Sequence, residues 1–183
     1  RTCMGARLRR GGKASFVGVI VVMAIVASAW LAYATTAPTS PSYPVTAAKV
    51  KAKGEIALCT TATKPKCDKF SMNVERKATG KHAGELVGSY TVKDYVNKVN
   101  YSFTKKTFTG LTCVNGTSAT LTAAGGKGSG KLNKQKTFST TATVTGSGTT
   151  GTLNTTITDD STNTVVFAYN GPITNKAKIS IVC

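Results

Sequence analysis

Apolar and polar residues alternate through most of the chain after Val45. The clearest runs are Phe70–Val74, Val99–Phe103, Ala119–Ala123, Ala142–Val144 and Ala177–Ile181. Successive side chains of a β-strand point to opposite faces of a sheet, so a period of two predicts strands with one buried and one exposed face. Helical periodicity is hard to find over the same residues. The pattern therefore indicates a domain built almost entirely from strands.

Two segments depart from this alternation. All five residues from Val165 to Tyr169 are apolar, and continuous apolar runs are typical of strands that are covered on both faces. We predict such a strand here. The residues from Val92 to Val96 fit either a turn or a short helix, and both interpretations stay open.

Turn-forming residues separate the apolar runs. They occur at Asn115-Gly116, Gly125-Gly126, Gly128–Gly130, Gly146–Gly148, Asp159-Asp160 and Asn170–Pro172. Asn-Gly is a frequent type I′ hairpin turn, and the other combinations are common in turns of several types. Short strands at this spacing predict an all-β fold, an antiparallel β-sandwich or small barrel of about 8–10 short strands.

An uncharged apolar segment precedes the strands. It runs from Ala14 to Ala34, with its strongest part between Phe16 and Ala29, and it ends in the small-x-small pattern Ala32-Tyr-Ala34. Four basic residues stand before it: Arg7, Arg9, Arg10 and Lys13. We predict that residues 1–34 form an N-terminal hydrophobic helix that acts as a cleaved signal peptide or as an uncleaved, transmembrane signal anchor. Met4 is the expected start of translation.

Both interpretations of this segment predict the same topology. The basic cluster lies before the apolar residues, and no further Lys or Arg occurs until Lys49. The positive-inside rule then keeps the N-terminus in the cytoplasm and exports the chain beyond the apolar segment. The expected location is extracytoplasmic, either secreted or membrane-anchored at the cell surface with the C-terminal domain outside.

Residues 35–44 form a Pro-, Thr- and Ser-rich spacer. Three of the five prolines lie within it, at Pro38, Pro41 and Pro44. Such sequences favour extended backbone and bury little surface. We expect the β-rich extracytoplasmic domain to comprise residues 45–183.

Four cysteines come after the spacer, at Cys59, Cys67, Cys113 and Cys183. An even number in an exported domain predicts two disulfides, for which three pairings are possible. We favour Cys59–Cys67, which closes a hairpin-like loop, together with Cys113–Cys183. The alternative is a set of four reduced thiols.

The chain is strongly basic, with 24 Lys and Arg against 7 Asp and Glu. After the N-terminal stub, Arg76 is the only arginine and all other cations are lysines. Arginine supplies the planar forks that read phosphates and base edges, whereas lysine supplies hydrated point charges. The composition argues against sequence-specific nucleic-acid binding. It fits either a solvated polar surface or a diffuse attraction to anionic polymers and cell-envelope components.

No catalytic constellation is recognisable. The chain has one histidine, His82, and no Gly-x-Ser-x-Gly motif. The carboxylates with the best chance of forming a site on neighbouring strands are Glu75, Glu85 and Asp94. The pair Asp159-Asp160 fits a turn better than a calcium site, and no CxxC pair suggests zinc. We predict no catalytic residue, no cofactor and no metal.

Three stretches from Gly54 onward resemble the post-COAP domain of secreted bacterial proteins. They are an early strand at Lys69–Val74, a strand–turn–strand at Thr112–Thr122, and a closing segment from Tyr169 through Ile181. The strand start near the end departs from the family pattern, because Asn163–Phe167 lacks an Asp. The resemblance implies an exported all-β accessory domain and carries over no active-site residue.

The expected function is that of a non-catalytic secreted or surface-tethered β-module. It would bind or coat something outside the cell, with anionic envelope polymers as the expected partner and the membrane as a second one if the N-terminal segment is uncleaved. Two other classes stay open. One is a hydrolase or inhibitor that acts on extracellular polymers, and the other is a subunit of a surface polymer. The oligomeric state cannot be read from these patterns.

Overall fold

The computed structural model describes residues 46–130 and 135–183. The apolar segment 1–34, the spacer 35–44 and Val45 lie outside the described residues. Within those two ranges the chain forms ten strands and no α-helix, so no described helix could cross a bilayer. The strands are β1 Ala48–Cys59, β2 Cys67–Arg76, β3 Leu86–Asp94, β4 Val99–Thr104, β5 Phe108–Val114, β6 Ser118–Gly128, β7 Thr137–Ser147, β8 Thr150–Asp159, β9 Thr164–Pro172 and β10 Lys178–Val182.

All ten strands belong to one antiparallel sheet, which confirms the predicted all-β class. The strand order is β10-β1-β2-β3-β4-β6-β7-β8-β9, and β5 lies off this path, paired with β6. Most neighbours are consecutive in the chain and are joined by hairpins. There are two exceptions: β4 pairs with β6, and β10, the last strand, pairs with β1, the first. The first and last strands of the chain therefore lie side by side.

One face of every strand is buried in a common core. In β1 the residues Val50, Ala52 and Ile56 are buried, while the lysines between them are exposed. Across the core, the buried Tyr90 of β3 donates a hydrogen bond of 2.8 Å to Thr155 of β8. The inward faces of β3 and β8 thus meet, so their outward faces point away from each other.

The turn chemistry between β5 and β6 is as predicted. Asn115 and Gly116 have φ values of 49° and 65°, and the N–H of Thr117 donates to the carbonyl of Val114 at 3.1 Å. These are the features of a type I′ turn. The open question about residues 92–96 is also answered, since β3 continues to Asp94 and a turn comes after it.

Two predicted turns are instead parts of strands. Gly125-Gly126 lies within β6, where the pairing with β7 shifts register between Ala123 and Gly126. A Cβ on Gly126 would come within 2.2 Å of the Phe103 ring, so glycine is needed for close packing and not for chain reversal. Asn170–Pro172 pairs with β8 and ends β9.

The prediction that the strand at Val165–Tyr169 is covered on both faces is wrong. Phe167 and Tyr169 are buried, but Val165 is 59% exposed and Ala168 is exposed. A register shift in the β8–β9 pairing places an extra residue, Val166, between the pairs of Val165 and Phe167. A β-bulge of this kind adds one unpaired residue to the strand and breaks the regular alternation of faces. The apolar run is therefore continuous in sequence although only one face of the strand is buried.

The structure contains two disulfides, Cys59–Cys67 and Cys113–Cys183, in the pairing that the sequence favoured. The first joins the ends of β1 and β2. The second joins β5 to the residue directly after β10, across 70 positions of sequence. Disulfides persist mainly in oxidising compartments, so both bridges fit a domain that works outside the cytoplasm.

Candidate functional site

A groove lined by lysines lies on the outward face of β10, β1 and β2. Lys51 stands between Ser180 on β10 and Asn73 on β2, and in the next row Lys53 stands between Lys178 and Ser71. The groove has a volume of about 560 Å³, and Thr149 in the β7–β8 turn borders it. We call this site the lysine groove: Lys51, Lys53, Lys178, Ser71, Asn73, Ser180 and Thr149.

The strand alternation of β1 produces this arrangement. Lys51 and Lys53 are two residues apart, so both side chains leave the same face about 7 Å apart. Lys178 lies directly opposite Lys53, and directly opposed residues of antiparallel strands are about 5 Å apart at their Cβ atoms. Three ammonium groups are thereby brought within reach of one small ligand.

Ion pairs flank the groove but do not enter it. Lys49 lies 3.2 Å from Glu75 on one side, and Lys69 lies 3.1 Å from Glu55 on the other. Among the described residues, Lys51, Lys53 and Lys178 make no ion pair. The groove therefore holds three lysines whose charge is not offset by an ion pair.

The flanking carboxylates are held in their ionised form. Hydrogen bonds from Lys69 and Asn175 lower the pKa of Glu55. Hydrogen bonds from Lys77 and Lys49 lower the pKa of Glu75. Neither carboxyl group is thus arranged to donate a proton near neutral pH, as a general acid would have to.

The groove has the chemistry of an anion-binding site. Like charges directly opposite each other across two strands destabilise a sheet, and an anion between Lys53 and Lys178 would remove that repulsion. Side chains of Ser71, Asn73 and Ser180 add neutral hydrogen-bond donors. The site lacks an arginine fork, so it would recognise charge density more than a fixed planar geometry.

The three carboxylates singled out in the sequence do not converge. Glu75 pairs across the sheet with Val87, near the start of β3, whereas Asp94 ends that strand. Seven residues of strand separate these positions, which corresponds to more than about 20 Å. Glu85 lies before β3, where its carboxylate contacts the exposed His82 at 2.9 Å. These groups form no common cleft, so the observation that would have favoured a hydrolase is missing.

Asp159 and Asp160 serve the turn after β8. The buried Asp159 accepts hydrogen bonds from Lys136 at 2.6 Å and from the N–H of Ser161 at 2.9 Å. The Lys136 bond, followed by those from Ser161, lowers the pKa of Asp159 to about 2. A lysine occupies the place that a cation would need, and no described group of three or more His, Cys, Asp or Glu is placed to hold a metal.

Two further buried acids organise the turn between β3 and β4. Asp68 accepts a 2.7 Å hydrogen bond from the N–H of Tyr95, and Asp94 accepts bonds from the backbone and side chain of Asn97. Burial raises the pKa of Asp68, and the nearby negative charge of Asp94 adds to this effect. Their hydrogen bonds satisfy the backbone of the β3–β4 turn, which is a structural role.

The sequence patterns did not single out the lysine groove. They treated the lysines as scattered, whereas the structure brings Lys51, Lys53 and Lys178 together on one outer face. The signal was present in part, because Lys49-Val-Lys51-Ala-Lys53 alternates with a period of two. The contribution of Lys178 could not be read, because it depends on the pairing of β10 with β1.

The chain was compared with protein-family models, with curated proteins and with solved structures, and none of the three comparisons found a match.

Proposed function

We propose that this chain is a non-catalytic extracytoplasmic β-module that binds anionic polymers of the cell envelope through the lysine groove. The observation that carries the proposal is the cluster of three lysines without ion-pair partners on one face of β10 and β1. The two disulfides and the N-terminal apolar segment support an extracytoplasmic location.

A closed sheet would give the groove a rigid base. We propose that the sheet curls into a small barrel and not into two separate layers. The support comes from isolated backbone bridges between Ile56 and Ile173 and between Gly148 and Ile179, which link strands far apart in the order. The second bridge also holds the β7–β8 turn beside the groove. Preorganised charges bind with less ordering cost than flexible ones.

The size of the expected effect depends on the three lysines. Each Lys near an anionic surface contributes about 1 kcal/mol. Three of them together contribute about 3 kcal/mol, which corresponds to a roughly 150-fold difference in affinity. The groove should therefore account for a large part of any polyanion binding.

Binding of the full chain to polyphosphate, measured by titration at low and high salt, tests the proposal. The variant combines Lys51→Gln, Lys53→Gln and Lys178→Gln. The matched control removes the same charge from exposed turns, with Lys81→Gln, Lys105→Gln and Lys106→Gln. We expect the groove variant to bind about 100-fold more weakly at low salt, and the control to change only a few-fold. Binding that does not weaken with salt, or equal losses in both variants, would contradict the proposal.

A further inference from the structure

A second outward face, on β6, β7 and β8, differs chemically from the lysine groove. Its side chains alternate with buried core residues along each strand, so they point to solvent. We call it the threonine face: Ser118, Thr120, Thr122, Ser139, Thr141, Thr143, Thr145, Thr152, Asn154, Thr156 and Thr158. None of these residues is charged.

The absence of charge is notable in so basic a domain. The outward positions of β10, β1, β2 and β3 carry eight charged residues: Lys49, Lys51, Lys53, Glu55, Lys69, Glu75, Lys93 and Lys178. On β6, β7 and β8 the outward charge is confined to one end, where Lys127 is exposed beside Thr137 and Ser139 donates a 2.5 Å hydrogen bond to Asp160. Depletion of charged residues is a compositional signal of the centre of a protein interface.

The hydroxyl groups lie in rows across the sheet. One row consists of Thr120 on β6, Thr143 on β7 and Asn154 on β8. The next row consists of Thr122, Thr141 and Thr156 on the same three strands. The hydroxyls of Thr120 and Thr143 lie 2.9 Å apart. A shallow depression of about 260 Å³ lies between the second of these rows and the side chains of Ser139 and Thr158. A hydroxyl both donates and accepts, so a face built from hydroxyls is complementary to a copy of itself.

We infer that the threonine face is the contact surface between two copies of this chain. Net positive charge makes copies repel each other, and the threonine face is an outward face on which they can meet with a single lysine, Lys127, at one end. With strands about 4.8 Å apart, and with the flanking β5 and β9 included, the face covers roughly 600 Å². That is somewhat below the roughly 800 Å² per partner of a standard interface, so the dimer would be weak.

Such a dimer would be bivalent. The inward faces of β3 and β8 meet at the Tyr90–Thr155 hydrogen bond, so the outward face of β8 points away from that of β3, and only the β7–β8 turn of the threonine strands borders the lysine groove. Two copies joined through their threonine faces would then present one lysine groove on each outer side. The pair could link two anionic strands, and avidity would strengthen an individually weak contact. This bivalence rests on the proposed function, whereas the contact itself does not.

Salt dependence of the wild-type full chain provides the first test. Dimer formation is measured by analytical ultracentrifugation over a range of protein concentrations. Because the contact is uncharged and the copies repel, added salt should strengthen the dimer by several-fold. Polyanion binding should respond in the opposite direction, so failure of this inference and failure of the proposed function can be told apart. A chain that stays monomeric at millimolar concentration, or a dimer that salt dissociates, overturns the inference.

A pair of variants provides the second test. Thr141→Lys with Asn154→Lys places charges at the centre of the face, on side chains that are exposed in the monomer. Ser89→Lys with Thr91→Lys adds the same charge on the outward face of β3. We expect the first variant to dimerise at least about 10-fold more weakly and the second to behave as wild type. If both variants dimerise equally, the contact lies elsewhere, for example in residues 14–34, and the inference is contradicted. A chain that stays monomeric because a neutral polymer covers the threonine face also contradicts the inference.

Discussion

Loss of the Cys113–Cys183 disulfide should destabilise the domain more than loss of the Cys59–Cys67 disulfide. The bridge closes a loop of about 71 residues, and chain-entropy arithmetic gives roughly 4.4 kcal/mol for a loop of that length. The Cys59–Cys67 bridge closes a loop of about nine residues, for which the same arithmetic gives roughly 2.6 kcal/mol. Domains of this size are stable by about 5–15 kcal/mol, so the first loss would be a large fraction of the total.

The structure gives a second reason to expect a large effect. β5 pairs with β6 alone, and its other edge is held by this disulfide and by a hydrogen bond from Arg76 to the carbonyl of Leu111. β10 has five residues and pairs along its length only with β1. Without the bridge, β5 and β10 would both lose the covalent link that holds their ends together.

The assay is equilibrium unfolding of the full chain in guanidinium chloride, monitored by far-ultraviolet circular dichroism. The variants are Cys113→Ser with Cys183→Ser, and Cys59→Ser with Cys67→Ser as the matched control. We expect losses of about 4 and about 2.5 kcal/mol, and a fall of roughly 15 °C in the melting temperature of the first variant. If the long-loop variant loses no more than the short-loop variant, the chain-entropy reasoning is refuted.

Two further outcomes are expected from the structure. Gly88→Ala should lower the free energy of unfolding by about 2–4 kcal/mol, because its Cβ would lie 1.9 Å from the carbonyl oxygen of Asn73 at a φ of +118°. Gly80 is also at positive φ but has open space around it. Gly80→Ala should therefore cost only about 1 kcal/mol in the same unfolding assay. The pKa of Asp159 falls from its ordinary 3.8 to about 2 on folding. The folded state therefore binds fewer protons than the unfolded state at this group. The resulting stability is present above pH 3.8 and is lost as the pH falls through about 2. Unfolding midpoints measured from about pH 5 downward should decline less for Asp159→Asn than for wild type, and parallel curves would contradict the role of the Lys136 bond.

Much of the local structure was predictable because strand formation depends on nearby residues. Phe70–Val74 and Val99–Phe103 alternate with a period of two, and each became a strand with the expected face buried. The Asn115-Gly116 turn was predictable because few residues adopt positive φ at both central positions of a turn. The failures at Val165–Tyr169 and Gly125-Gly126 share one cause. In both, a register shift between neighbouring strands changed the geometry, and such a shift depends on the partner strand.

The sequence by itself determined that this chain makes strands, which side of most strands is apolar, and that it can form two disulfides. Those properties depend on side-chain order, which is local. Only the tertiary structure decided that β10 lies beside β1, so that Lys178 joins Lys51 and Lys53, and that the hydroxyl-rich outward sides of β6, β7 and β8 form one face. Strand order is set by the packing of distant segments around a shared core, which the order of side chains along one strand does not encode.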